Sequence, residues 1–138
     1  ARAAANSIIP TTTGAAKAVT LVIPELKGKI DGIAYRVPVI SGSVTDLAVR
    51  LTNNASSSEV NEAYRQASIK SLHGILGYSD EPLVSVDYIG NENSCTIDSL
   101  ASSVVADGFV KVVGWYDNEW GYSSRTADLA NIMAQRGK

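Results

Sequence analysis

Two strand-like runs, Ser102–Ala106 and Phe109–Tyr116, meet at Asp107-Gly108, a dipeptide suited to the left-handed backbone of a two-residue hairpin turn. An antiparallel pair is therefore expected near the C-terminal end, and such a pair needs further strands and an apolar covering layer to be stable. The rest of the chain supplies both. Within Ile30–Ile40, Ile33, Tyr35, Val37 and Val39 alternate with Gly32, Ala34, Arg36 and Pro38, and within Ser43–Leu51, Leu47, Val49 and Leu51 alternate with Asp46, Ala48 and Arg50. Period-2 alternation marks half-buried strands, with Ser41-Gly42 as the turn between these two. Ile75–Ser79, Leu83–Ile89 and Ser94–Leu100 complete the strand candidates, divided by Asp80-Glu81-Pro82 and Gly90-Asn91-Glu92-Asn93.

Helical signals interrupt these strands without alternating regularly. Gly14–Ile23 follows Thr11-Thr12-Thr13 and stops at Pro24, so a short helix with Thr13 as N-cap is expected. Ser56 stands three residues before Glu59, the capping-box spacing, and Val60, Ala63, Tyr64 and Ala67 then recur at helical intervals. That helix is expected to reach about Leu72 and to close at His73-Gly74. From Gly121 onward Tyr122, Thr126, Leu129, Ile132 and Met133 set a third helix, ending at Arg136-Gly137-Lys138. The pattern predicts an α+β fold with a mostly antiparallel sheet. No G-x-G-x-x-G is present, which excludes a dinucleotide-binding unit of that type from this chain.

Composition narrows the function classes. With 138 residues, 45% hydrophobic and 19% charged, the chain fits one soluble globular domain. Its formal charge of -2 gives no broad footprint for nucleic acid or an acidic bilayer. One cysteine, Cys95, and one histidine, His73, leave no internal disulfide, cysteine-rich zinc site or imidazole cluster, and fit a reducing compartment. Apolar stretches such as Leu21-Val22-Ile23 fall far short of the roughly 20 residues of a membrane helix. The opening Ala1-Arg2-Ala3-Ala4-Ala5, without an initiator Met or a leader pattern, reads as a chain entered midway.

Three segments could carry chemistry. Thr11-Thr12-Thr13-Gly14 brings hydroxyls and free N–H groups to a helix start, where the dipole favours an anion such as phosphate; a plain N-cap accounts for the same residues. Arg36, on the less apolar face of its strand, is a guanidinium suited to phosphate oxygens or to an ordinary surface ion pair. Gly114-Trp115-Tyr116-Asp117-Asn118-Glu119-Trp120-Gly121-Tyr122 is an aromatic-rich junction between strand and helix. Asn118 there has the donor and acceptor that orient another carboxamide, and equally those that stabilise a turn. Cys95, in an apparent strand without a nearby His or Lys, is expected to be an inert thiol, and His73 beside Gly74 a helix-end residue without a catalytic role. Asp80-Glu81 is read as a solvated turn.

The segments Ala1-Arg2-Ala3-Ala4-Ala5 through Pro10-Thr11-Thr12-Thr13-Gly14-Ala15-Ala16-Lys17, Arg36-Val37-Pro38, Gly74-Ile75-Leu76-Gly77-Tyr78 and Trp115-Tyr116-Asp117-Asn118-Glu119-Trp120-Gly121-Tyr122-Ser123 closely resemble phosphorylating glyceraldehyde-3-phosphate dehydrogenase in order and spacing. The resemblance covers essentially the whole chain. It implies that residues 1–138 are a C-terminal part of that family's catalytic domain, without the cofactor-binding domain, the nucleophilic cysteine or its histidine partner. It further implies that Thr13 and Gly14 line an inorganic-phosphate site, that Arg36 contacts phosphate, that Asn118 holds the nicotinamide carboxamide of NAD, and that Tyr122 lies beside that ring. Arg2 matches a structural or inter-subunit arginine. Glyceraldehyde 3-phosphate and inorganic phosphate as substrates, a homotetramer, a cytoplasmic location, and no nucleic-acid or membrane partner follow from the same likeness. An erythrose-4-phosphate dehydrogenase, or a non-catalytic binding or adhesion module, are the alternatives. The chain departs from the common family pattern at Val39-Ile40-Ser41-Gly42-Ser43, a turn whose variation leaves the role of Arg36 unaffected.

Overall fold

The computed structural model describes residues 2–106 and 108–137, in two units, Ala1–Ile40 and Ser41–Lys138. Asp107, the first residue of the expected hairpin turn, lies outside the described residues, as do Ala1 and Lys138.

In the first unit, strands β1 (Ile9–Thr11) and β2 (Ala34–Arg36) form an antiparallel pair in which Ile9 faces Arg36 and Thr11 faces Ala34. Helix α1 (Ala15–Val22) follows β1, and a single 3-10 turn at Pro24–Leu26 succeeds it. Two expectations are corrected here. The N-cap of α1 is Gly14, not Thr13; Thr13 stands one position earlier, and its Oγ1 accepts the N–H of Ala15 at 3.1 Å. The strand expected over Ile30–Ile40 shrinks to three residues. Pro38 has no N–H to continue a ladder, and Val39 instead donates to the carbonyl of Val37 at 2.8 Å in a local turn.

The second unit is a four-stranded sheet in the order β3-β6-β5-β4, with β3 Ser43–Arg50, β4 Leu76–Ser79, β5 Cys95–Ala106 and β6 Phe109–Tyr116. Strands β3, β6 and β5 are antiparallel neighbours, and β4 joins β5 in parallel, so the sheet is mixed but mostly antiparallel, as predicted. The two runs expected at Ser94–Leu100 and Ser102–Ala106 form one strand, and the break between them survives as a shift of register between Asp98 and Ser103. Asp98 Oδ1 causes it, accepting the N–H groups of Leu100 at 3.0 Å and Ala101 at 2.9 Å that would otherwise seek the neighbouring strand. The strand expected over Leu83–Ile89 is instead a 3-10 turn at Ser85–Tyr88. The reason is local: Asp87 Oδ2 accepts the N–H of Val84 at 2.8 Å, an interaction that curls the chain despite its apolar composition.

Helix α2 (Ser57–Ile69) starts at the predicted capping box, with Glu59 N–H donating to Ser56 Oγ at 3.2 Å and Ser56 N–H to Glu59 Oε2 at 2.8 Å. It lays Val60 and Tyr64 on the sheet against Val110, Val112 and Ile97, the last three at 1%, 5% and 5% exposure. Burial of each such side chain stabilises the fold by roughly 1.5–3 kcal/mol. Helix α3 (Trp120–Arg136) leaves the end of β6 through Asp117-Asn118-Glu119.

Candidate functional site

At the start of α1 the N–H of Ala18 donates to Gly14 O at 2.9 Å, while Ala16 and Lys17, in the first turn, have no helical carbonyl in front of them. Thr13 is half-buried and its oxygen is engaged by Ala15, which leaves its O–H free to donate outward. A side chain built at Gly14 would meet nothing within 4 Å, so the approach to this terminus is open. Arg36 lies on β2 opposite Ile9, four residues before Thr13 on the strand that leads to this terminus. Arg36 is exposed and Thr13 half-buried, so both side chains are accessible to a ligand.

The second group of predicted residues sits where β6 passes into α3. Asp117 is 8% exposed, and its carboxylate organises the junction. Oδ2 accepts the N–H of Gly90 at 2.8 Å, and Oδ1 accepts those of Glu119 at 2.9 Å and Trp120 at 2.7 Å. Hydrogen bonds from Gly90, Trp120 and Glu119 hold this carboxyl below its ordinary pKa, so it stays ionised at the head of α3, where negative charge is favoured. Gly121 is required by packing, because a Cβ there would lie 2.5 Å from the carbonyl oxygen of Asn93. Arg125 reaches from the next turn of α3 to the carbonyl of Gly74 at 3.0 Å and pins the helix to the turn before β4.

Upstream of the junction Trp115 is locked by two contacts. Its ring stacks on Tyr88 with centroids 5.8 Å apart and planes 6° from parallel, and its Nε1 donates to Asp98 Oδ2 at 2.9 Å. On this frame Asn118 is exposed, and its Oδ1 accepts a hydrogen bond from Ser43 Oγ at 2.6 Å. Tyr122, at 80% exposure, presents its ring from the first turn of α3. Asn118 and Tyr122 thus share one end of the sheet.

Four contributors to this frame, Ser43, Tyr88, Gly90 and Asp98, were not anticipated. No local pattern marks them: Ser43 and Asn118 are separated by 75 residues, and only the β3–β6 pairing joins them. Cys95 is half-buried on the α2 side of the sheet, and burial pushes its thiol up, away from a reactive thiolate. His73 is exposed in the turn after α2. A cleft of about 410 Å³ between α2 and the sheet is walled by Val49, Val60, Tyr64, Val110 and Val112, and none of the predicted site residues lines it. Among the described residues no cluster of His, Cys, Asp and Glu suits a metal ion, and no helix is long and apolar enough to cross a membrane.

Residues 1–118 match the family described as "Glyceraldehyde 3-phosphate dehydrogenase, C-terminal domain". Glyceraldehyde-3-phosphate dehydrogenase 1 of Bacillus subtilis is 57% identical over 137 residues, covering 99% of this chain and 41% of the relative. Glyceraldehyde-3-phosphate dehydrogenase of Priestia megaterium is 56% identical over 137 residues, with the same two shares, 99% and 41%. A chloroplastic glyceraldehyde-3-phosphate dehydrogenase of Arabidopsis thaliana is 56% identical over 138 residues, covering all of this chain and 35% of the relative. The chain therefore spans about two fifths of the length of the curated bacterial relatives it matches. An α+β sheet domain of this topology, with the family match running through β1 to β6 and on to Asn118, identifies the chain as a member of the glyceraldehyde-3-phosphate dehydrogenase family, from its C-terminal domain.

Proposed function

We propose that this chain is the C-terminal part of the catalytic domain of an NAD-dependent glyceraldehyde-3-phosphate dehydrogenase, acting as a cytoplasmic homotetramer on glyceraldehyde 3-phosphate and inorganic phosphate. The observation that carries the reading is Asn118, an exposed carboxamide mounted on the Asp117 frame in a chain of this family. A carboxamide with its oxygen already engaged and its NH₂ free fits a nicotinamide carboxamide. NAD, when bound, supplies the hydride acceptor for oxidation of the aldehyde. Asn118 orients the nicotinamide through its amide, and Tyr122 limits the ring's freedom with its own aromatic face.

Arg36 and the α1 start are two anion-binding elements, in keeping with a reaction that handles two phosphates. Arg36 binds one with its guanidinium fork, while Thr13 O–H and the N–H groups following Gly14 bind the other. Covalent attack on the aldehyde and the accompanying proton transfers fall to a cysteine and a histidine outside these 138 residues. Kinetics of the complete dehydrogenase chain test the assignment. Arg36→Leu should lower kcat/KM for the phosphorylated aldehyde or for phosphate by roughly 10- to 100-fold with little change in the KM for NAD. Asn118→Ala should do the opposite, disturbing NAD use and leaving phosphate binding intact. Wild-type kinetics in a folded Arg36→Leu protein would make that arginine structural.

A further inference from the structure

The hydrogen bond from Ser43 Oγ to Asn118 Oδ1, at 2.6 Å, is the side-chain contact of the site that nothing in the overall fold requires. Both residues are accessible, and an accessible serine–asparagine bond adds little to stability, because water replaces it readily. Its consequence is geometric. The two ends of an asparagine amide have nearly the same shape and opposite chemistry, one accepting and one donating. An unrestrained exposed Asn118 samples both orientations, and a ligand that needs one of them must order the side chain as it binds.

We propose that Ser43 is a positioning residue of the cofactor site: by donating to Asn118 Oδ1 it selects the orientation in which Nδ2 is left to donate to the carbonyl oxygen of the nicotinamide. This rests on the assignment of Asn118 to the nicotinamide made above. Ser43 is itself well placed to act as a fixed point. It opens β3 in register with Tyr116, two residues before Asn118. The preceding Gly42 has φ +93 and passes so close to Ser85 that a Cβ would lie 2.6 Å from the Ser85 carbonyl oxygen. The turn entering β3 is thereby held against the 3-10 turn Ser85–Tyr88, and the hydroxyl inherits that position. Control of Asn118 is divided, with Asp117 setting its backbone and Ser43 its amide.

The test is a double-mutant cycle in the complete dehydrogenase chain, with NAD, glyceraldehyde 3-phosphate and phosphate varied in turn and thermal unfolding followed alongside. Ser43→Ala should raise the KM for NAD roughly three- to tenfold, leave the KM for phosphate unchanged and leave Tm nearly unchanged. Ser43→Thr, which keeps the hydroxyl, should restore the KM for NAD. In an Asn118→Ala background Ser43→Ala should add nothing, since its effect passes through the amide it orients. Additive effects of the two substitutions, or an unchanged KM for NAD in Ser43→Ala beside a raised one in Asn118→Ala, would overturn the role of Ser43 alone. Unchanged NAD kinetics in Asn118→Ala would overturn both that role and the underlying assignment of Asn118.

Discussion

Asp117 Oδ2 and the N–H of Gly90, 2.8 Å apart, join the end of β6 to the loop that leads into β5. The same carboxylate caps the first turn of α3, so one ionised group closes two loops. Its pKa lies below the ordinary carboxylate value in the folded chain, which fixes the sign of the pH dependence. The stabilisation is fully present above the unfolded value, about pH 4, and is lost as pH falls through the depressed folded value. The Tm difference between wild type and Asp117→Asn should be largest above about pH 4 and narrow below it. A difference independent of pH from 6 to 2 would contradict this.

Gly114 is buried in β6 with the Sγ of Cys95 occupying the place where a Cβ would stand. Gly114→Ala should overpack the sheet and cost about 1–3 kcal/mol in urea unfolding. Cys95→Ala, introduced into that variant, removes the obstructing sulfur and should recover part of the loss. No recovery would show that the strain is relieved elsewhere.

The 138-residue chain alone should reduce no NAD with glyceraldehyde 3-phosphate, because its single thiol is pushed up by burial and has no imidazole partner in the sheet. Alkylation of Cys95 at neutral pH should correspondingly be slower than that of a free thiol. Turnover that disappears on Cys95→Ser would place the nucleophile at this position instead.

Apolar side chains stand exposed on several elements, including Leu21 at 84% on α1, Leu100 and Val105 on β5, and Leu129 and Met133 on α3. The chain on its own should self-associate and bind an apolar dye at micromolar concentration. Sedimentation as a compact monomer without dye binding would refute that expectation.

What the sequence made legible followed from local chemistry. The Ser56–Glu59 box, the alternation of Ser43–Leu51 and the run Phe109–Tyr116 each carry their instruction within a few residues, and each formed where expected. Leu83–Ile89 misled because its apolar content outweighs, on inspection, the single Asp87 that turns the backbone. The strand pairing of β1 was invisible because Ile9-Pro10-Thr11 is three residues long and too short for a periodic signal. At the candidate site, Asn118 stood out by its aromatic neighbourhood, and Tyr122 by the resemblance to the dehydrogenase family. Their supports did not, since Ser43, Gly90 and Asp98 reach them from distant parts of the chain.

The sheet order also sets when this unit can assemble. Among the described residues β3 has one strand neighbour, β6, which lies at the sheet's centre yet is the last strand to be synthesised. At 5–20 residues per second, a ribosome takes roughly 3–13 s to travel from Arg50 to Tyr116. Throughout that interval β3 lacks its β6 neighbour, and an unpaired strand edge is the condition in which strands of different nascent chains find one another. Only when β6 slots between β3 and β5 do residues 43 and 118 become neighbours, so on the ribosome the Ser43–Asn118 contact is a late product of folding rather than its nucleus.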